Sequence, residues 1–125
     1  VIGVVDDAAR RSALIGAGAQ VAMSPADSAG RPDLTAVLKR LGELGANEVW
    51  VEAGATLSGA LLAAGLVDEL VLYVAPCLLG ADARPLAELP PLRSLEEKRP
   101  WRFCSCTMIG DDLRIIARPA TAAGN

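Results

Sequence analysis

The chain has 125 residues, 52% apolar and 22% charged, which fits one domain or a large piece of one with enough apolar material for a sizeable core and argues against a disordered chain. Its net charge of −3, the lack of a basic block and an aromatic content of only 3% speak against a nucleic-acid or anionic-membrane surface. No apolar run reaches the roughly 20 residues of a membrane helix, and Val1-Ile2-Gly3-Val4-Val5 lacks the basic flank of a signal peptide.

Val1–Val5 is a β-branched run that reads as a buried strand, and it begins, without a methionine, as if inside a longer polypeptide. Asp6-Asp7 is positioned to cap a helix through Ala8 to Ile15, ended by Gly16 or Gly18. Gln20–Met23 reads as a short strand and Ser24–Pro32 as a loop. Asp33 reads as the N-cap of the clearest helix, in which Leu34, Val37, Leu38, Leu41 and Leu44 recur at helical spacing before Gly45. Glu48–Glu52 is expected to be a strand, Ala53-Gly54-Ala55 a tight turn, and Thr56–Ala64 a second helix closed by Gly65.

Glu69–Ala75 is apolar on both faces, as expected of the middle strand of an α/β sheet. Cys77–Pro100 is a long Pro-, Gly- and Leu-rich connection, longer than ordinary loops and therefore expected to be functional or to pack as a compact excursion. Trp101–Ile109 and Leu113–Arg118 read as strands joined by Gly110-Asp111-Asp112, and Pro119–Asn125 as a flexible tail. The order, β-α-β-α-β-α-β and then a hairpin, predicts an α/β fold with a mostly parallel mixed sheet and an antiparallel edge.

The chain contains no histidine, so Ser-His and Cys-His nucleophile pairs and the commonest metal ligand are missing, and any catalysis is expected to draw on a cofactor. Cys77, Cys104 and Cys106 are an odd number, which suggests a reduced, cytosolic protein; they read as small apolar side chains rather than metal ligands. Asp68-Glu69 is weighed as an acid–base pair and read as structural, Glu96-Glu97-Lys98-Arg99 as a solvated face, Arg84 as a surface residue, and Trp50 and Trp101 as core or interface residues.

The most informative segment is Val49-Trp50-Val51-Glu52-Ala53-Gly54-Ala55-Thr56-Leu57-Ser58-Gly59-Ala60. A strand, a small-residue turn and a helix start make an anion site, because the first helical N–H groups lack intrahelical partners and carry the positive end of the dipole. Gly54 would let a phosphate approach the backbone, and Thr56 and Ser58 would add hydroxyls. On spacing alone, an ordinary βα connection whose small residues permit tight packing is the favoured reading.

The run Glu52–Leu62, with Ala64-Gly65-Leu66-Val67-Asp68-Glu69-Leu70, Ala75-Pro76 and Leu78-Leu79-Gly80, resembles the reductase domain of the bifunctional riboflavin biosynthesis deaminase-reductase. The resemblance covers most of Glu48–Leu86 and extends less specifically to both sides. It implies a dihydrofolate-reductase-like fold, a three-layer mixed sheet with a C-terminal antiparallel hairpin. It also implies NADPH-dependent reduction of the ribose of 5-amino-6-(5-phosphoribosylamino)uracil to a ribityl chain. By it, Gly54, Ala55, Thr56, Leu57, Ser58, Gly59 and Ala60 would bind the cofactor and Glu52 the substrate, with no catalytic acid or metal ligand to name.

The family often has a second glycine where this chain has Ala53. The first half of the reductase domain and the deaminase domain are absent from residues 1–125, so the chain is expected to be the C-terminal part of one reductase domain. A homodimer is expected from the resemblance and from the open edge of the apolar hairpin. The alternatives are a reductase of the same fold acting on another substrate, or a non-catalytic fragment with a folding or assembly role.

Overall fold

The computed structural model describes residues 1–120, as two compact units, one from Val1 to Trp50 and one beginning at Val51. The expected tail falls partly inside this range: Pro119 closes a strand and the Ala120 N–H donates to the Pro100 carbonyl, while residues 121–125 lie outside the described residues.

The first unit is a β-α-β-α arrangement. Strand β1 (Ile2–Gly3) pairs in parallel with β2 (Ala22–Met23), in the register Ile2 to Ala22 and Gly3 to Met23. Parallel neighbours need a crossover, which helix α1 (Ala8–Gly16) provides. The Asp7 carboxylate caps α1 by accepting the Arg10 N–H at 3.0 Å. Gly18 ends it by donating to the Ile15 carbonyl, with Ala19 donating to that of Leu14.

The loop that follows is tied around Asp27. Its carboxylate accepts the N–H groups of Ala29 and Arg31, both at 2.8 Å, and Arg31 Nε at 3.2 Å. Asp33 caps α2 (Leu34–Glu43) by accepting the Ala36 N–H, and α2 turns its half-buried Leu34, Val37, Leu38 and Leu41 inward. Gly45, at φ +91°, closes it as expected.

Glu48–Glu52 departs from expectation: residues 46–54 form neither helix nor strand. An apolar pattern reports what a strand would bury, whereas a strand also needs a neighbour aligned to complete its ladder.

In the second unit, helix α3 (Ala55–Ala64) precedes β3 (Leu70–Val74), β4 (Trp101–Ile109) and β5 (Asp112–Pro119). The sheet order is β3-β5-β4, antiparallel throughout, so β3 is an edge strand rather than the middle of a parallel sheet. Among the described residues, parallel pairing is confined to β1 and β2.

The hairpin turn has two residues, Gly110 at φ +62° and Asp111, because Asp112 already pairs with Ile109. Positive φ at the first central position alone marks a II′ turn, whose twist matches the flanking strands. A register shift between Phe103 and Ser105 leaves Cys104 as the bulged residue of β4. Residues two apart on a regular strand, such as Cys104 and Cys106, share one face, and the bulge interrupts that alternation.

Burial is sparse. Leu61, 7% exposed, and Ala117, 2% exposed, are the buried apolar side chains among the described residues. Trp50 and Phe103 are 65% and 70% exposed, and the three cysteines are exposed and reduced rather than core residues. The apolar composition therefore exceeds what this span buries within itself.

The hydrogen bond from the Arg31 N–H, then that from Ala29 and the Arg31 charge, holds the Asp27 carboxyl below its ordinary value of 3.8. A depressed folded value places the loop's stabilisation above the unfolded value, and it is lost as pH falls through the lower one. Amide exchange at Ala29 and Arg31 should accelerate on acidification below pH 3.8, and Asp27→Asn should remove that dependence.

Candidate cofactor-binding site

The candidate turn begins the second unit. Glu52 is exposed, two residues before Gly54, which is the N-cap of α3. Where α1 and α2 are capped by aspartates, α3 has no side-chain cap and no acidic residue of its own in its first turn. Its early N–H groups keep the partial positive charge of the helix start.

Gly54 and Gly59 are glycines for different reasons. Gly54 has φ −70° and ψ 170°, an extended conformation open to any residue, and a β-carbon there would meet nothing within 4 Å. Neither a left-handed backbone nor packing calls for glycine at this point; as an N-cap residue it leaves the backbone open at the helix start. Gly59 is buried, and a β-carbon there would overlap the backbone of Glu88, with the Glu88 carbonyl carbon at 2.7 Å and its nitrogen at 2.8 Å. Its missing side chain is filled by the long connection, a packing requirement.

The two hydroxyls are engaged within the chain. Ser58 Oγ donates to the Ala53 carbonyl at 3.3 Å, bracing the turn, and Thr56 Oγ1 donates to Glu88 Oε2 at 2.9 Å. Each hydroxyl thus has an acceptor within its own fold. Leu57 is 43% exposed, and Ala55 and Ala60 are half-buried.

Glu88 is the residue that sequence reasoning missed. It lies in the connection, 32 positions from Thr56, and only the route of the connection brings it to α3. The Glu88 N–H also donates to the Ala55 carbonyl at 2.9 Å. At the far end of α3, Arg99, exposed like the rest of the charged run, donates to the carbonyls of Leu62 and Ala63 and so caps the helix.

The other weighed residues resolve simply. Glu69 pairs with Arg118 across β3 and β5 at 2.8 and 2.9 Å, a structural role as expected. Arg84 is exposed. Among the described residues no group of three His, Cys, Asp or Glu could hold a metal ion. One concavity of about 350 Å³ lies along Val1–Met23, and another of about 900 Å³ lies under the connection, lined by residues that include Leu62, Leu70, Leu86 and Trp101. Glu52–Ala60 lines neither of these two concavities.

Residues 6–115 match the family described as the RibD C-terminal domain. The chain belongs to this family. The riboflavin biosynthesis protein RibD of Escherichia coli strain K12 is 49% identical over 84 residues, which cover 67% of this chain and 23% of that protein. The 5-amino-6-(5-phosphoribosylamino)uracil reductase of Buchnera aphidicola (from Acyrthosiphon pisum) is 40% identical over 87 residues, covering 70% of this chain and 42% of that one. A solved structure of Acinetobacter baumannii RibD superimposes with a TM-score of 0.80 at 27% identity, covering 96% of this chain and 30% of that chain. The chain thus spans about a quarter to two fifths of the relatives it matches, and its RibD C-terminal domain sequence includes the whole Gly54 turn.

The two glycines differ in what surrounds them, packed backbone at Gly59 and open space at Gly54. Gly59→Ala should destabilise the protein by about 1–3 kcal/mol through overpacking. Gly54→Ala should cost about 1 kcal/mol or less, the difference between glycine and alanine at an N-cap. Thermal unfolding of the two variants beside the wild type measures both.

Proposed function

We propose that the chain is the cofactor-binding part of a reductase of riboflavin biosynthesis, one that uses NADPH to reduce the ribosyl group of 5-amino-6-(5-phosphoribosylamino)uracil to the ribityl form. Membership of the RibD C-terminal domain family and relatives named as reductases of this pathway support that reading. The observation that carries the site is Gly54, whose β-carbon position is open, at the N-cap of a helix without a side-chain cap.

The residues present fit a dinucleotide phosphate. The β-carbon position of Gly54 is open, α3 has no acidic residue in its first turn, and the helix start attracts an anion. When bound, the nicotinamide supplies the hydride. Backbone N–H groups of Ala55, Thr56 and Leu57 hold phosphate oxygens, and Ser58 keeps the turn in shape through Ala53. Gly59 and Ala60 act from behind, seating α3. Glu52, at the entrance to the turn, accepts hydrogen bonds from the substrate's ring or sugar hydroxyls.

The opposite wall of the site comes from outside this span, as does the remainder of the three-layer, mostly parallel sheet of the full domain. The outward edges of β3 and β4 carry exposed Tyr73, Val74, Phe103, Met108 and Ile109, which supports a homodimer. No described helix is long and apolar enough to cross a membrane, consistent with a cytoplasmic enzyme.

The test is an NADPH titration of the full-length protein beside Gly54→Asp. Aspartate is a favoured N-cap, so the variant should fold while its carboxylate takes the helix N–H groups and repels the phosphate. Binding by the wild type, weakened at least about tenfold in the variant, about 1.4 kcal/mol, is the expected result. Equal binding by both would remove the turn from the site.

A further inference from the structure

Helix α3, Ala-Thr-Leu-Ser-Gly-Ala-Leu-Leu-Ala-Ala, has no charged residue of its own. The long connection supplies a charge at each end: the Glu88 carboxylate in the first turn, on Thr56, and the Arg99 guanidinium at the last carbonyls. Each sign opposes the partial charge of its helix end. Glu88 is placed there by its main chain, because its N–H donates to Ala55 and its backbone fills the space left by Gly59. The carboxylate is thus brought to the first turn by the path of the backbone, and the side chain has only to meet the Thr56 hydroxyl.

That is the same turn that, as the cofactor site, would hold the phosphates. A carboxylate and a phosphate repel each other there, and the single proton of the Thr56 hydroxyl, while donated to Glu88, is withheld from a phosphate oxygen. We infer that Glu88 is an internal competitor of the cofactor: it occupies the positive end of α3, lowers the affinity of the turn for a dinucleotide phosphate, and so acts as an affinity-setting residue of the connection. The inference rests on the cofactor reading of the Gly54 turn.

The experiment uses the full-length protein and NADPH as the probe, with Glu88→Gln, Glu88→Ala and, as a charge control elsewhere on the connection, Glu96→Gln. The Glu88 main-chain contacts survive in both variants, and thermal unfolding checks that they fold. Removing the carboxylate should lower the Kd for NADPH about two- to fivefold at low salt, the size of a charge effect at a helix end. The gain should shrink as ionic strength rises, and Glu96→Gln should bind like the wild type. A purely structural strap predicts unchanged or weaker binding in both Glu88 variants. That result, with NADPH still bound by the wild type, overturns the inference and leaves the cofactor reading intact. No binding by the wild type overturns the cofactor reading and the inference with it.

Discussion

The second unit depends on the close approach of the Glu88 main chain to α3 at Gly59. Only a residue without a β-carbon permits it, since any side chain would meet the Glu88 carbonyl group and nitrogen. That approach sets the course of a connection that would otherwise have few reasons to lie in one place: it is largely exposed, and its leucines at positions 78, 79, 86, 89, 92 and 95 face solvent. It also brings two charges to an uncharged helix, and a concavity lies under the connection.

The sheets show how far this span is self-sufficient. A parallel pair of two residues per strand and a three-stranded antiparallel sheet cover little apolar area, and few side chains leave solvent. Hydrophobic stabilisation scales with the area removed from water, so a chain that is 52% apolar yet buries mainly Leu61 and Ala117 has surface suited to further burial. This agrees with a span of 23–42% of the related proteins matched.

At the candidate site the division of labour is physical. Gly54 leaves room, Ser58 braces the turn from inside, and Gly59 seats the helix against the connection. The polar side chains that resemble ligand donors in the sequence serve the fold, while the groups suited to an anion are backbone N–H groups that a sequence does not display as residues. Thr56 stands between the two roles, because its hydroxyl is held by an acidic residue brought from far along the chain.

By itself the sequence determined the local structure and the family. Asp7 and Asp33 cap helices, Gly45 and Gly65 close them in the left-handed conformation, and Gly110 makes the hairpin turn, because each acts through neighbours a few residues away. The run from Glu52 to Leu70 carried the family for the same reason: it is contiguous. Tertiary structure alone decided what lies between distant segments. Glu48–Glu52 has strand composition but forms no strand, β3 is apolar on both faces yet sits at an edge, and Arg99 in a charged run caps α3. A strand exists only with its ladder partner, and a charge finds its counterpart only where the chain path takes it. Periodicity and composition report which surfaces want burial or pairing, and they are silent about which segment arrives to meet them.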